Sequence, residues 1–139
     1  MQMKIKYSVG MEPIMQAHFG EWYDLRAAAD VDFKAGELVF IPLGICVELP
    51  ARYEAIVRPR SSTSRRYGLV FADSGVIDNA YCGDNDEWGS AWYAVRSGHV
   101  DKNARIAQFR IQNIQPHCDI IITSSLGNSD RGGYGSTGK

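Results

Sequence analysis

Apolar residues in this chain recur at every second position and nowhere hold a helical period over three turns, which confines the chain to a β-rich fold. Met3, Ile5 and Tyr7 alternate with Lys4, Lys6 and Ser8. The alternation returns in 37–41, 45–49 and 53–58, and Pro42, Pro50 and Pro59 follow those runs. Proline has no N–H for a central ladder, so each marks the end of a strand. Ala107, Phe109 and Ile111 alternate with Gln108, Arg110 and Gln112, and the run Ile120-Ile121-Ile122 has the length of a short buried strand. Ala27-Ala28-Ala29 and the stretch after Ser61 each have room for about one helical turn. Short strands punctuated by Gly, Pro and Asp predict an all-β barrel or jelly-roll-like sandwich.

Size and charge narrow the function classes. A chain of 139 residues with 45% hydrophobic content is one domain that folds without disulfides or a structural metal. Its net charge of −1 excludes a generic polyanion binder, so an anionic partner has to be held by local basic groups and no nucleic-acid partner is expected. Cys46, Cys82 and Cys118 lie 36 residues apart in each case, without a C-x-x-C pair, and read as reduced thiols. No apolar run approaches the ~20 residues of a membrane span, and Met1 to Tyr7 alternates instead of building a signal-peptide core, so a cytoplasmic location is expected. The segment 128–139 contains Gly132, Gly133, Gly135 and Gly138 and almost no apolar side chain. It reads as a mobile arm appended to a β domain at 1–127.

Three clusters carry candidate chemistry. Arg58-Pro59-Arg60-Ser61-Ser62-Thr63-Ser64-Arg65-Arg66 is the only dense basic stretch, and it is interleaved with hydroxyls. Guanidinium forks and hydroxyls at a turn suit a phosphate group, although a solvated surface loop has the same composition. In Gly75-Val76-Ile77-Asp78-Asn79-Ala80-Tyr81-Cys82-Gly83-Asp84 a carboxylate follows an apolar pair between glycines, which reads as a hairpin where backbone approaches a ligand. Asp78 is a candidate general base and Tyr81 a flat apolar wall, while ordinary turn and strand chemistry accounts for the same residues. In the arm, Gly133, Gly138 and Lys139 match a G-x-x-x-x-G-K phosphate loop. Such a loop needs a strand before it and a helix N-terminus after it, and neither is expected here. The arm can still wrap an anion with backbone N–H groups, Arg131 and the hydroxyls of Ser136 and Thr137, or serve as a solubilising tail.

Five segments in order resemble the motifs of the trimeric dUTP pyrophosphatases, the dUTPases, of bacteria and phages. They are Tyr23-Asp24-Leu25-Arg26-Ala27, Pro59-Arg60-Ser61-Ser62, Gly75-Val76-Ile77-Asp78-Asn79-Ala80-Tyr81-Cys82-Gly83, Arg105-Ile106-Ala107-Gln108-Phe109 and Arg131-Gly132-Gly133-Tyr134-Gly135-Ser136-Thr137-Gly138. The resemblance implies a jelly-roll-like β-clip barrel and a homotrimer with an exchanged C-terminal segment and shared active sites. It also implies hydrolysis of dUTP to dUMP and pyrophosphate with Mg²⁺ carried on the triphosphate. By the same resemblance Asp78 deprotonates the water that attacks the α-phosphorus, and Tyr81 lies under the deoxyribose and leaves no room for a 2′-hydroxyl. Backbone around Gly75 and Ile77 reads uracil, with a return strand completing the hairpin. Arg60, Ser61, Ser62 and Gln108 contact phosphates, and Asp24 organises the water shell of the metal without binding the ion. Arg131, Ser136 and Thr137 close on the β- and γ-phosphates, and Tyr134 covers the base.

The chain departs from the family pattern in two places. Trp22 and Tyr23 replace small residues before the acid of the first motif, and the fifth motif is shortened and carries Tyr134 where Phe is usual. Trp88 and Trp92 are therefore alternative caps for uracil. The rival readings are a dCTP deaminase of the same fold or a bifunctional relative, and a trimeric regulatory or interaction protein.

Overall fold

A computed structural model of the chain describes residues 1–15 and 20–135. The alternating segments are strands: β1 (Lys4–Tyr7), β4 (Leu38–Pro42), β5 (Ile45–Glu48), β6 (Tyr53–Pro59) and β11 (Arg105–Asn113). Between them run β2 (Tyr23–Arg26), β3 (Val31–Phe33), β7 (Leu69–Phe71), β8 (Val76–Ile77), β9 (Gly89–Ala94) and β10 (Gly98–Val100), with one short helix, α1 (Thr63–Tyr67). The strands form antiparallel sheets in the orders β2-β11-β6-β8, β4-β9-β7, β1-β5 and β10-β3. Pro42 and Pro59 occupy the last positions of their strands, opposite Gly89 and Ala107, instead of lying just past the ends.

The alternation decides what is buried. Val39 and Ile41 point inward from β4 while Leu38 and Phe40 point out, and Ala55 and Val57 point inward from β6. On β11 two neighbours, Ile106 and Ala107, are both fully buried, because the pairing with β2 slips by one residue between Arg105 and Ala107. Such a bulge turns an extra side chain inward without inverting the rest of the strand. Trp88, Trp92, Phe109, Leu25 and Ile41 are the largest members of the core. Burial of each aliphatic or Phe side chain contributes roughly 1.5–3 kcal/mol.

Two local expectations are overturned. Ala27-Ala28-Ala29 forms no helical turn, because the Ala27 and Ala28 N–H groups donate to the carbonyls of Ala104 and Pro42. Ile120-Ile121-Ile122 is not a buried strand: the three side chains are 90%, 83% and 96% exposed, and among the described residues no strand pairs with the run. The body ends where the Ile114 N–H donates to the Arg52 carbonyl, and 115–135 runs on exposed and without strands.

Candidate active site

The central position of β11 assembles the first part of the site. In register, Gln108 faces Asp24 on β2 and Arg58 on β6. The Gln108 Nε2 donates to the Pro59 carbonyl at 3.2 Å, which ties it to the loop carrying Arg60, Ser61 and Ser62. That loop leads into α1, whose first residue, Thr63, is buried and donates from Oγ1 to the Ile106 carbonyl at 2.7 Å. At the far end of α1, Gly68 adopts φ +69° and donates to the Ser64 carbonyl, while Arg96 Nη2 donates to the carbonyls of Arg65 and Arg66. The loop is thus held at Pro59 and at Thr63, and Ser61 and Ser62 stand exposed between them.

Asp24 is 7% exposed, and a buried carboxylate is costly unless paired. Its Oδ1 takes the Arg60 Nε at 2.9 Å and its Oδ2 takes Arg105 Nη1 at 3.3 Å. Sequence reading placed Asp24, Arg60 and Gln108 in one site but missed this two-armed ion pair and the part of Arg105 in it. The partners are 36 and 81 positions from Asp24 along the chain, and only the sheet order brings them together.

The second part is a cavity of about 400 Å³ beside the edge strand β8. Ile77, Asp78 and Tyr81 line it with Phe40, Trp88 and Gly89. Asp73 and Glu87 add two further carboxylates, and among the described residues no Lys or Arg lines it. The expected hairpin is corrected here. β8 pairs with β6, and after Ile77 the chain turns with no strand before Gly89. The turn is locked from three sides. Asp78 Oδ1 accepts the Ala80 N–H at 2.7 Å, the Asp78 carbonyl accepts the Tyr81 N–H at 3.1 Å, and Asn79 Nδ2 donates to the carbonyls of Pro50 and Tyr53 at 2.9 and 2.8 Å. The Tyr81 hydroxyl donates to the Glu87 carbonyl at 3.1 Å, fixing the ring at the cavity wall.

Glycine is required at the entrance. Gly75 has φ +71°, its carbonyl accepts the Val57 N–H at 2.6 Å, and a Cβ there would sit 2.3 Å from the Val57 carbonyl oxygen. At Gly89 a Cβ would come within 2.2 Å of the Phe40 ring. Phe40 and Gly89 escaped the sequence reading. Phe40 reads as an outward strand residue, and only the opposition of β4 and β9 places it over Gly89.

Trp88 and Trp92 are core residues of their own chain, and Trp88 also forms part of the cavity wall. Both are fully buried; Trp88 packs edge-on to Phe109, and Trp92 packs edge-on to Phe71 with its Nε1 donating to Ser90 Oγ at 2.8 Å. Arg131 and Tyr134 lie on the exposed arm and line neither part of the site in their own chain. Tyr134 adopts φ +50° and is fully exposed. Ser136 and Thr137 lie outside the described residues.

The donor set at Asp24 bears on how a metal fits. Both carboxylate oxygens are engaged by guanidinium groups, and the only cluster of metal-ligand type among the described residues, Asp30, His99 and Asp101, does not include it. These residues fit an ion carried on a polyphosphate and its waters better than one held directly by the chain.

A family model for dUTPase matches residues 21–138. The chain is 49% identical over 140 residues to the SPbeta prophage-derived deoxyuridine 5'-triphosphate nucleotidohydrolase of Bacillus subtilis, with 99% of each chain covered. Its fold superposes on a Staphylococcus bacteriophage 80alpha dUTPase mutant solved with dUpNHpp at a TM-score of 0.79 and 22% identity, covering 99% of both chains. It also superposes on a dUTPase mutant from the S. aureus phage phi11, described as revealing coordination of a structural Mg(II) ion, at a TM-score of 0.76 and 17% identity, covering 90% of this chain and 98% of that one.

Proposed function

The chain belongs to the dUTPase family, and we propose that it hydrolyses dUTP to dUMP and pyrophosphate, removing the precursor of uracil in DNA and supplying dUMP. The observation that carries this reading is the cavity at β8: an apolar slot of about 400 Å³ with a free backbone edge on one side and the Asp78 carboxylate on its lining. β8 is the last strand of its sheet, and with the Gly75 carbonyl turned to the Val57 N–H on β6, the alternating outer edge at Val76 is the one available to pair with the edge of a pyrimidine. Cytosine presents a donor where uracil presents an acceptor, leaving groups unpaired at about 1–3 kcal/mol each.

Asp78 is the general base. Its Oδ1 is committed to the Ala80 N–H, while Oδ2 carries no hydrogen bond among the described residues and is left to accept a proton from water. The water oxygen bonds to the α-phosphorus, the bond to the bridging oxygen toward the β-phosphorus breaks, and pyrophosphate leaves with the electron pair. Tyr81, pinned through its hydroxyl, closes the sugar side against a 2′-hydroxyl. Arg60, Ser61, Ser62 and Gln108 bind the phosphates. Mg²⁺, when bound to the triphosphate, would neutralise charge on it and polarise the phosphoryl oxygens. Asp24, with the lone pairs not used by Arg60 and Arg105, would orient the waters of that ion.

The protein works as a homotrimer with shared sites and an exchanged C-terminal segment. The split in charge supports this: among the described residues the base cavity has three carboxylates and no cation, whereas the corner built on Arg60 and Arg105 is basic. An arm that leaves its own body after Ile114 supports it further. Arg131, Ser136 and Thr137 close on the terminal phosphates of a neighbouring site, and Tyr134 covers the uracil. Among the described residues no helix is long and apolar enough to cross a membrane, and the proposed site of action is the cytoplasm.

The test is pyrophosphate release from dUTP, UTP, dCTP and dTTP with Mg²⁺. Release from dUTP alone is expected, falling about 10²–10⁴-fold in Asp78→Asn. Unselective release, or ammonia from dCTP, refutes the reading, and elution at the monomer mass in gel filtration refutes the shared site.

A further inference from the structure

A second cavity, of about 360 Å³, opens beside the phosphate corner. Arg26, Arg60, Arg66, Lys102 and Arg105 line it, against only two carboxylates, Glu12 and Asp101. Both acids are engaged: Glu12 pairs with Arg26 at 3.3 Å, and Asp101 accepts from His99 Nε2 at 3.0 Å. Arg60 and Arg105 share Asp24, and the terminal nitrogens of Arg60 make no hydrogen bond among the described residues. Arg66 and Lys102 have no carboxylate partner among the described residues. The Arg66 guanidinium lies over the Tyr67 ring at 5.6 Å, and Lys102 Nζ donates to the Val9 carbonyl at 3.1 Å.

The surplus of cations defines the ligand. Exposed single cations need no partner, but with Glu12 offsetting Arg26 and Asp24 shared by Arg60 and Arg105, Arg66 and Lys102 leave the concavity a positive surplus that attracts a multiply charged anion. The volume lies near the small end of ligand pockets, roughly 300–1,000 Å³, and among the described residues the only apolar side chains on its wall are Tyr67 and Ala104. A base is therefore a poor occupant and a small polyanion a good one. The cavity shares Arg60 with the phosphate corner, and Ser61 and Ser62 follow directly in sequence.

We propose that this cavity takes the pyrophosphate end of the substrate and holds pyrophosphate after cleavage, with Arg66 and Lys102, which lie outside the five motifs, as its binding cations. The assignment rests on the dUTP reading above. A polyphosphate laid along Ser61, Ser62 and Gln108 reaches the cavity at Arg60, where guanidinium forks meet its terminal oxygens.

Isothermal titration of the full chain with inorganic pyrophosphate, without added metal, tests it. Binding is expected that weakens with salt and falls at least 10-fold in Arg66→Gln and in Lys102→Gln, with dUMP binding unchanged and pyrophosphate inhibition of dUTP hydrolysis relieved in parallel. Thermal melts establish that both variants fold; should Arg66→Gln fail to fold, Lys102→Gln alone decides. Wild-type pyrophosphate affinity in the folded variants, or equal weakening of dUMP, overturns the proposal. The two readings fail separately. A chain that hydrolyses dUTP but binds pyrophosphate independently of Arg66 and Lys102 refutes only the cavity, and one that binds pyrophosphate through them but leaves dUTP intact refutes only the dUTP reading.

Discussion

Thr63→Val removes a single hydrogen bond on which the phosphate loop depends. Thr63 is 1% exposed, and its Oγ1 donates at 2.7 Å to the carbonyl of Ile106, the residue at the slip in the β11 ladder. Valine has nearly the same shape, so packing is preserved and the loss is confined to the donor. Leaving a buried carbonyl without it costs about 1–3 kcal/mol, and the added methyl recovers less than about 1 kcal/mol. The net loss, about 1–2 kcal/mol, corresponds to roughly 3–8 °C in melting temperature for a domain of this size. Circular-dichroism melts at fixed protomer concentration read that shift, because association makes the midpoint concentration-dependent. The same bond sets α1 against β11, and hence Ser61 and Ser62 against Gln108, so KM for dUTP should rise several-fold in Thr63→Val and stay near wild type in Thr63→Ser. A Thr63→Val protein that melts within about 1 °C of wild type with an unaltered KM would refute both the energetics and the positioning role.

Gly75→Ala should destabilise the fold by at least about 1–2 kcal/mol and abolish nucleotide binding, because alanine resists positive φ and its Cβ would displace the Val57 carbonyl; a binding titration that matches wild type contradicts this. The His99 pKa is raised by hydrogen bonding to Asp32 first and to Asp101 second, with burial opposing. Its stabilising contribution is therefore complete below the unfolded value near ~6.5 and is lost as pH rises through the raised folded value. Melts of wild type and His99→Gln should converge above that pH and separate below it, whereas a constant offset would show that the imidazole charge is irrelevant. Trypsin cleavage after Arg131 should slow when a non-hydrolysable dUTP analogue is added, and equal rates with and without it exclude closure of the arm.

The strands that sequence exposes are those whose buried faces are aliphatic or aromatic throughout, such as β4 with Val39 and Ile41. Strand β9 hides because its inward residues are Ser90, Trp92 and Ala94, and a buried serine breaks the apolar pattern while its hydroxyl donates to the Ile41 carbonyl. β3 and β10 have three residues each, too few to show a period. Among candidate site residues, the placing of Asp78 and Tyr81 on one cavity wall is legible because the turn that presents them is local. The pairing of Asp24 with Arg60 and Arg105 is not, since it exists only through the neighbours of β11. The run of three isoleucines misled because apolar composition states a need for cover without saying which chain supplies it.

The proposed exchange of arms changes how defects combine. Under it, trimers of Asp78→Asn chains and trimers of chains lacking residues 128–139 each have no complete site. Every mixed trimer would place one intact base cavity beside one intact arm around its ring, so activity is expected to return when the two inactive proteins are unfolded and refolded together. A defect would then be a property of the population of chains: two different lesions complement each other, whereas two copies of the same lesion do not.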